Sequence, residues 1–270
     1  MLFRSYGAAG QAIIITPFLL MGAMAPVSTP AALVQQTLEA LAGIALVQLI
    51  RPGTPCVMGS FLSSTDMKTG SPAFGGPESA FGLYASGQIA RDLDLPWRSG
   101  GGTLTSSPLP DYQAGYEAMN TLLSAFLAGA NVCWQSAGWM EGGLVTCFEK
   151  FMADTEVLDL LCRQFTAVEL TEADLAFDAH VEVGHGGHFF GAAHTLERFR
   201  DCFWRPTIAT TDNNDRWTKG GSLDHAARAA NRWREQLEAY EQPPLDAAIE
   251  TELVEFVTRR AAENGDEVPL

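Results

Sequence analysis

The sequence of 270 residues predicts an α/β fold, in which parallel strands alternate with helices along the chain. Apolar, strand-like runs are each followed by a helical pattern, and this unit recurs at intervals of roughly 40 residues. The loops that follow the strands are long, whereas the loops that follow the helices are short. This asymmetry favours a (β/α)8 TIM-type barrel, whose functional sites lie at the carboxyl ends of the strands.

The first two strand–helix units lie in the N-terminal part of the chain. Residues 12–19 form an apolar run typical of a strand, and residues 30–49 repeat apolar positions at helical spacing. Residues 28–30 (Ser-Thr-Pro) support the start of this helix, because serine and threonine cap helices and proline suits their first turn. Residues 55–61 predict the second strand, and the second helix is expected to begin near Pro77.

The third and fourth units follow the same order. Residues 96–99 predict a strand and residues 110–128 a helix, and the fourth unit combines a strand at 131–136 with a helix at 143–164. Four clear units are only part of a barrel, which has eight. The sequence therefore predicts half to two-thirds of a barrel, with two unpaired strand edges that need a partner.

Two domains are expected on this basis. Residues 1–206 are predicted to form the partial barrel, and residues 207–270 a helical extension that packs on its outside. Within the extension, residues 222–240 form an amphipathic pattern, and residues 246–262 place apolar side chains on one stripe of a helix.

Composition limits the class of function. The formal net charge of −15 argues against nucleic acid or an anionic membrane as partner and suits a protein that handles a cation. The five cysteines are an odd number, widely spaced and without a CxxC pair, so neither a disulfide framework nor a zinc site is expected. These features predict a cytoplasmic protein.

The N-terminus resembles a secretory signal, because an apolar run follows Arg4 and ends in Ala23-Met24-Ala25. Gln11 and residues 16–17 (Thr-Pro) interrupt the apolar region, and a capped helix follows directly. We therefore expect a folded strand here. A membrane span is not expected either, because prolines and a glycine punctuate a run too short to cross.

Several polar and aromatic residues follow the predicted strands. Arg98 precedes three glycines (100–102), which either bind an anion through backbone N–H groups or form a permissive turn. Glu141 and Trp139 follow the fourth strand, where a carboxylate beside an aromatic face would attract an ammonium group. Asp66 and Lys68 follow the second strand, and their simplest interpretation is an exposed ion pair.

Residues 180–206 contain four of the five histidines and are rich in glycine. A short strand or turn is predicted near 184–190, followed by a helix that begins near Ala192, as a fifth unit of the barrel. His188 would then lie at the end of an element, where sites tend to be built. Histidines at this spacing form no strong zinc pattern, so no tightly bound metal is expected.

Four motifs resemble the trimethylamine methyltransferase family. They are SSTDMKTGSPAFGGPESA (63–80), WRSGGGTLTSSPLPDYQAGYEA (97–118), SAGWMEGGLVTCFEKFMADTE (136–156) and GGHFFGAAHTL followed by FWRP (186–206). The chain is similar to the C-terminal portion of these longer proteins. Where trimethylamine-using members employ pyrrolysine, near residues 98–107, this sequence has only standard residues. The resemblance is therefore to the non-pyrrolysine type.

The resemblance implies a methyltransferase that moves a methyl group from a tertiary or quaternary amine to the cobalt of a corrinoid. The corrinoid would be carried by a partner protein, and a betaine such as glycine betaine would be the methyl donor. No side chain needs to act as the catalytic nucleophile, so the residues below are expected only to bind substrate. The residues expected around the ammonium group are Trp97, Trp134, Trp139 and Glu141. The residues expected to bind a substrate carboxylate are Arg98 and His188.

Other interpretations remain open. A different metal-dependent barrel enzyme would use His185, His188 and Asp66. A non-catalytic fragment would bind a betaine or a partner protein without turnover. The chain is expected either to form a homo-oligomer or to be completed by a separate N-terminal half.

Overall fold

The computed structural model describes residues 2–265 and has a mixed α/β architecture. The strands are β1 (Ile13–Ile15), β2 (Phe18–Met21), β3 (Cys56–Gly59), β4 (Phe61–Thr65), β5 (Pro72–Ala73), β6 (Trp97–Ser99), β7 (Val132–Cys133), β8 (Trp139–Met140) and β9 (Val145–Thr146). The helices are α1 (Leu2–Ala8), α2 (Thr29–Ile50), α3 (Pro77–Asp92), α4 (Tyr112–Leu127), α5 (Phe148–Gln164), α6 (Glu172–Leu175), α7 (Phe177–Val183), α8 (Ala193–Arg198), α9 (Asn214–Lys219), α10 (His225–Glu238) and α11 (Ala247–Asn264).

The central sheet is parallel and has the order β1-β3-β6-β7. Its strands alternate with α2, α3, α4 and α5, which confirms the four predicted strand–helix units. The first two predicted strands are each split, because β2 and β4 pair in a second sheet with β5. The first break contains Pro17, which has no N–H to donate to a neighbouring strand. The fourth helix begins at Phe148, five residues later than the predicted start at Gly143.

The described residues form no closed barrel. In the four-stranded sheet, β1 and β7 are edge strands with one neighbour each. The fifth predicted unit is wrong, because residues 177–198 form α7, a turn, a short 3-10 helix and α8 and contribute no strand. The segment does turn at Gly184–Gly186, where two glycines adopt the left-handed backbone. The predicted helix near Ala192 is confirmed as α8.

One face of the central sheet packs against the helices. Met58 of β3 and Trp97 of β6 are paired in register and belong to one buried cluster. Leu83, Ala90 and Ala125 contribute to this cluster from α3 and α4. Because side chains alternate along a strand, the residues beside Met58 and Trp97 point to the other face.

The chain separates into two compact units, one up to Trp233 and one from Arg234 onward. In the first unit, Ile208 and Ala229 pack with Met152 of α5. The second unit holds the end of α10 and all of α11. The predicted domain boundary at residue 206 stays a prediction.

Helix α2 is long and apolar enough to cross a membrane by length and composition alone. The core helix of a soluble protein passes the same test, and α2 buries Ala32 and Leu33 against β2 and β4. The preceding run, which resembles a signal sequence, pairs in register with β3 through Ile13–Ile15.

Candidate functional site

The carboxyl ends of β6 and β7 hold the charged and aromatic residues singled out in the sequence. Arg98 and Val132 are paired in register, so Trp134 follows β7 at nearly the same level as the end of β6. The guanidinium carbon of Arg98 lies 5.0 Å from the centre of the Trp134 ring. The structure therefore brings these two predicted site residues into contact.

Trp97 lies on the opposite face of the strand. Its side chain is 2% exposed, packs among the helices and donates from Nε1 to the Ser60 hydroxyl at 3.0 Å. Adjacent residues of a strand point to opposite faces. The structure thus assigns Trp97 to the core and does not bring it together with Arg98.

Arg98 is a buried cation held by neutral groups. It donates to the Gln135 side-chain oxygen at 2.7 Å and to the Ser60 carbonyl at 3.3 Å, and its side chain also faces Phe61. The residue is 2% exposed, and burial lowers the pKa of its guanidinium group from the ordinary value. Its Nε atom is buried and has no hydrogen-bond partner in the described part of the chain.

No carboxylate among residues 2–265 lies within ion-pair distance of Arg98. A buried charge without a counter-ion costs free energy, because the lost hydration is not replaced. Such a cation with an unused N–H is poised to bind an anionic group. The arrangement suits a ligand carboxylate, which guanidinium groups bind through paired hydrogen bonds.

The glycine loop after β6 serves close packing. The backbone N–H of Gly102 donates to the Trp134 carbonyl, and that of Thr103 to the Gln135 carbonyl. A β-carbon at residue 102 would lie 2.9 Å from atoms of the Trp134–Ser136 backbone, which explains the glycine. These two N–H groups are therefore already occupied by backbone carbonyls, as expected for a permissive turn.

Trp139 and Glu141 lie on a hairpin formed by β8 and β9. The hairpin is fixed to the loop after β6 through its backbone, because Glu141 N–H donates to Ser107 and Gly142 N–H to Thr105. The Trp139 side chain is 39% exposed, and Glu141 is also exposed. Glu141 has a left-handed backbone with φ of 48°, which costs a non-glycine residue about 1–2 kcal/mol.

His188 lies apart from this group. It precedes the 3-10 helix at residues 189–191, is exposed, and has its ring 5.8 Å from that of Phe190. Within the described chain, no hydrogen bond or ring contact connects His188 to Arg98, Trp134 or Trp139. The structure does not bring His188 into the candidate site.

A buried ion pair in α5 holds the loop after β6 and the loop after β7 in place through hydrogen bonds. Lys150 donates to Asp154, one turn later in α5, and also to the Thr103 carbonyl at 3.0 Å. The same carboxylate accepts from the Thr103 hydroxyl at 2.9 Å and from the Gly138 N–H at 2.8 Å. Burial lowers the pKa of Lys150 and raises the pKa of Asp154, while their mutual attraction opposes both shifts.

Two further carboxylates position the loop after β6. Glu117 accepts from the Thr105 hydroxyl and from the Ser106 N–H at 2.8 Å. Asp111 accepts from the Ser107 hydroxyl at 2.9 Å and caps α4 by accepting from the Ala114 N–H, which is the main cause of its lowered pKa. The loop that supports the hairpin is thus held by side-chain hydrogen bonds at several points.

A groove of about 680 Å³ lies between α4, α5 and the start of α10. Each of its four carboxylates has a structural partner: Asp111 caps α4, Asp154 pairs with Lys150, Glu156 accepts from the Ile208 N–H, and Asp224 accepts from the Ala227 N–H. At the strand ends, the cavity beside the glycine loop measures about 10 Å³, room for one water molecule. This cavity is too small to hold an amine substrate.

The predicted site is therefore brought together only in part. Arg98 and Trp134 are in contact, and the Trp139–Glu141 hairpin rests on the neighbouring loop. Asp66 closes its own turn by accepting from the Lys68 N–H at 2.9 Å. Residues 2–265 contain no group of three or more His, Cys, Asp or Glu side chains that could hold a metal ion.

The sequence interpretation missed the residues that support the site. Gln135 and Ser60 follow strands and contact Arg98, but neither residue type is unusual in a loop. Lys150 and Asp154 have the i, i+4 spacing of a helical ion pair. That spacing was the available signal, yet it does not reveal that the pair is buried.

Comparison with known proteins shows which family the chain belongs to. Residues 2–265 match the family model described as trimethylamine methyltransferase. A glycine betaine methyltransferase of Desulfitobacterium hafniense is 39% identical over 263 residues, covering 97% of this chain and 54% of the relative. A trimethylamine methyltransferase, MttB2, of Methanosarcina mazei is 29% identical over 240 residues, covering 89% and 48%. A proline betaine:corrinoid methyltransferase of Eubacterium limosum is 31% identical over 197 residues, covering 72% and 40%.

The chain spans about half the length of the curated relatives that it matches. The family model nevertheless covers nearly every described residue, including both loops at the strand ends. This chain belongs to the trimethylamine methyltransferase family.

Proposed function

We propose that this chain binds a betaine and takes part in the transfer of one of its methyl groups to a corrinoid. The observation that carries the proposal is the buried, uncompensated Arg98 beside the half-exposed Trp134. A betaine has a carboxylate and a quaternary ammonium group a short distance apart. The candidate site offers a partner for each.

The carboxylate is proposed to bind Arg98. The unpartnered Nε–H and the two terminal nitrogens of a guanidinium group form a fork that matches two carboxylate oxygens. A ligand carboxylate would also supply the counter-ion that the described chain lacks. Trimethylamine has no carboxylate, so this feature favours a betaine as substrate.

The ammonium group is proposed to contact Trp134, Trp139 and Glu141. Trp134 is 49% exposed, and the exposed faces of indole rings attract cations. Glu141 adds a negative charge at the hairpin tip, where its left-handed backbone is retained despite its cost. We do not assign Trp97 or His188 to the ammonium or carboxylate group, because neither contacts the others.

The proposed chemistry demands little from the side chains. When one methyl group leaves a quaternary ammonium, the nitrogen keeps the bonding electron pair and departs as a neutral tertiary amine. No proton has to be transferred and no protein nucleophile is needed. The residues named above would hold the donor in one orientation and replace its water, which favours the reaction through positioning.

The methyl acceptor is proposed to be a corrinoid on a partner protein, whose cobalt supplies the nucleophile. An acceptor of that size requires an open approach, and the exposed Trp134, Trp139 and Glu141 leave the strand ends accessible. The open edges β1 and β7 leave room for strands of a second polypeptide segment, either an N-terminal half or a second copy. A cytoplasmic location belongs to the same proposal.

Methyl transfer to free cob(I)alamin tests the activity, with glycine betaine and trimethylamine supplied in parallel. We expect the absorption band of methylcobalamin to grow with glycine betaine. Transfer from trimethylamine alone would contradict the assignment of Arg98 to a carboxylate. The matched control is Arg98→Met, which keeps the length of the side chain and removes its charge.

A second candidate function is betaine binding without turnover. The cavity beside the glycine loop favours it, because its volume of about 10 Å³ is too small for a betaine. Calorimetric binding of glycine betaine to the folded chain, without methyl transfer, would support this candidate. Restored transfer on addition of the N-terminal half of a full-length relative would instead identify an incomplete enzyme. The alternative of a metal-dependent barrel enzyme gains no support, since His185, His188 and Asp66 form no cluster among the described residues.

A further inference from the structure

Helix α11 carries an apolar stripe along one side. Ile249, Leu253, Phe256 and Val257 recur at positions i, i+4, i+7 and i+8, so they share one face of the helix. Each of these four side chains is about half exposed, and no residue of α11 is buried. A helix with such a stripe usually packs against another element, and the described residues of the second compact unit, 234–265, provide none.

The charges of α11 are divided along its length. Glu250, Glu252 and Glu255 lie in the first half of the helix, and the second half holds Arg259, Arg260 and a single acid, Glu263. A parallel neighbour of the same sequence would face acids with acids and bases with bases. An antiparallel neighbour would place the acidic half of each helix opposite the arginines of the other.

We propose that α11 pairs in antiparallel orientation with α11 of a second copy of this chain. The stripe is then covered by the same stripe of its partner, as in the self-complementary interface of a twofold dimer. The helix of 18 residues is roughly 27 Å long, enough for the stripe to form about two layers of interlocking side chains. Charge complementarity at both ends fixes the orientation.

The existing contacts of the arginines do not compete strongly with this pairing. Arg260 forms an ion pair with Glu263, and Arg259 lies with its guanidinium carbon 5.6 Å from the Phe256 ring. Both arginines remain exposed. Exposed pairs of this kind contribute little, so the guanidinium groups are available to a neighbouring helix.

The first test is the mass of the full chain in solution, measured by sedimentation between about 1 and 100 µM. We expect the mass to double over this range. Leu253→Glu places a charge in the centre of the stripe and is expected to weaken association at least about 100-fold. Thr251→Glu adds the same charge to the opposite face of α11 and is expected to leave the mass unchanged.

A charge reversal tests the orientation and guards against simple misfolding. Replacing Glu250 and Glu252 by lysine is expected to weaken the dimer, because both ends then carry like charges. Replacing Arg259 and Arg260 by glutamate in the same chain is expected to restore it. Circular dichroism of each variant checks that its helix content is retained.

Three results would overturn the proposal. The first is a chain that stays monomeric throughout the concentration range, which would mean that its own first unit or a different protein covers the stripe. The second is an oligomer that Leu253→Glu leaves intact, since it must use another surface. The third is a dimer that the double charge reversal fails to restore, because pairing would then not be antiparallel.

Discussion

Arg98 and Lys150 are both buried cations, each 2% exposed, and they differ in what surrounds them. Lys150 has Asp154 as a counter-ion and the Thr103 carbonyl as a further acceptor. Arg98 has a carbonyl, an amide oxygen and two aromatic rings, and one of its N–H groups has no acceptor in the described chain.

The difference separates a structural charge from one that suits a ligand. The pair in α5 is satisfied internally and fixes the loops that carry the candidate site. Burial of Arg98 without a counter-ion among the described residues lowers the stability of the fold. Replacing such a residue by an apolar one would be expected to stabilise the chain.

The largest effect is expected for Asp154→Ala, which leaves Lys150 buried without its counter-ion. Such a change costs about 3–5 kcal/mol in the free energy of unfolding. The double variant Lys150→Met/Asp154→Leu is expected to lose less, because no buried charge remains. Urea unfolding measures both, and a double variant less stable than Asp154→Ala would break the comparison.

Arg98→Met is expected to leave stability unchanged or higher and to weaken betaine binding. The free energy of unfolding should stay the same or rise, since an uncompensated charge is removed from the interior. The affinity for glycine betaine should fall about 10- to 100-fold, which corresponds to the loss of a charged hydrogen bond. Urea unfolding and calorimetric titration separate the two effects, and a large loss of stability would assign Arg98 to the fold.

Trp134→Leu is expected to reduce the betaine affinity about two- to fivefold, because cation–π contacts at exposed sites contribute modestly. Trp134→Phe keeps an aromatic face and should retain most of the affinity. Titration with glycine betaine and with 3,3-dimethylbutanoate, in which an uncharged carbon replaces the ammonium nitrogen, provides the readout. If Trp134→Leu and Trp134→Phe bind glycine betaine with equal affinity, Trp134 does not contact the ammonium group.

The smallest effect is expected from Asp111, an exposed carboxylate held by N–H and O–H donors. These donors lower its pKa below the ordinary value of 3.8, so its stabilisation is complete above that value and is lost as the pH falls through the lowered pKa. Asp111→Asn keeps a good cap but cannot ionise. Between about pH 6 and pH 3 the variant should therefore lose less stability than the wild type, as urea unfolding would measure.

The strand–helix order was predictable because α2 and α3 each have a proline in the first turn, at residues 30 and 77, and β1 and β3 lie in apolar runs. The break after Ile15 and the missing fifth strand were not. Pairing partners decide where a strand divides, and local composition does not reveal them. Residues 177–183 form α7 because the glycines that suggest a turn follow that helix and do not interrupt it.

The candidate site was predictable only by position. Arg98 was identified because it lies at the end of a predicted strand, just before the glycines. The same position also selected Trp97, although alternation places one of two neighbours in the core. His188 was selected because the predicted fifth unit would place it at the end of an element, and the described residues do not form that unit. The absence of a counter-ion for Arg98 depends on distances between segments and has no signature in the sequence.

The hairpin that carries Trp139 and Glu141 is fixed through backbone atoms, since the N–H groups of Glu141 and Gly142 donate to the carbonyls of Ser107 and Thr105. A scaffold anchored in this way is tolerant of new side chains. The residue at 139 can be exchanged without loosening the hairpin, whereas exchange at 141 favours residues that accept a left-handed backbone, such as asparagine or glycine. If the proposed site binds a betaine, residue 139 is therefore a position where new side chains can change which amine is bound without disturbing the hairpin, in evolution or in a designed library.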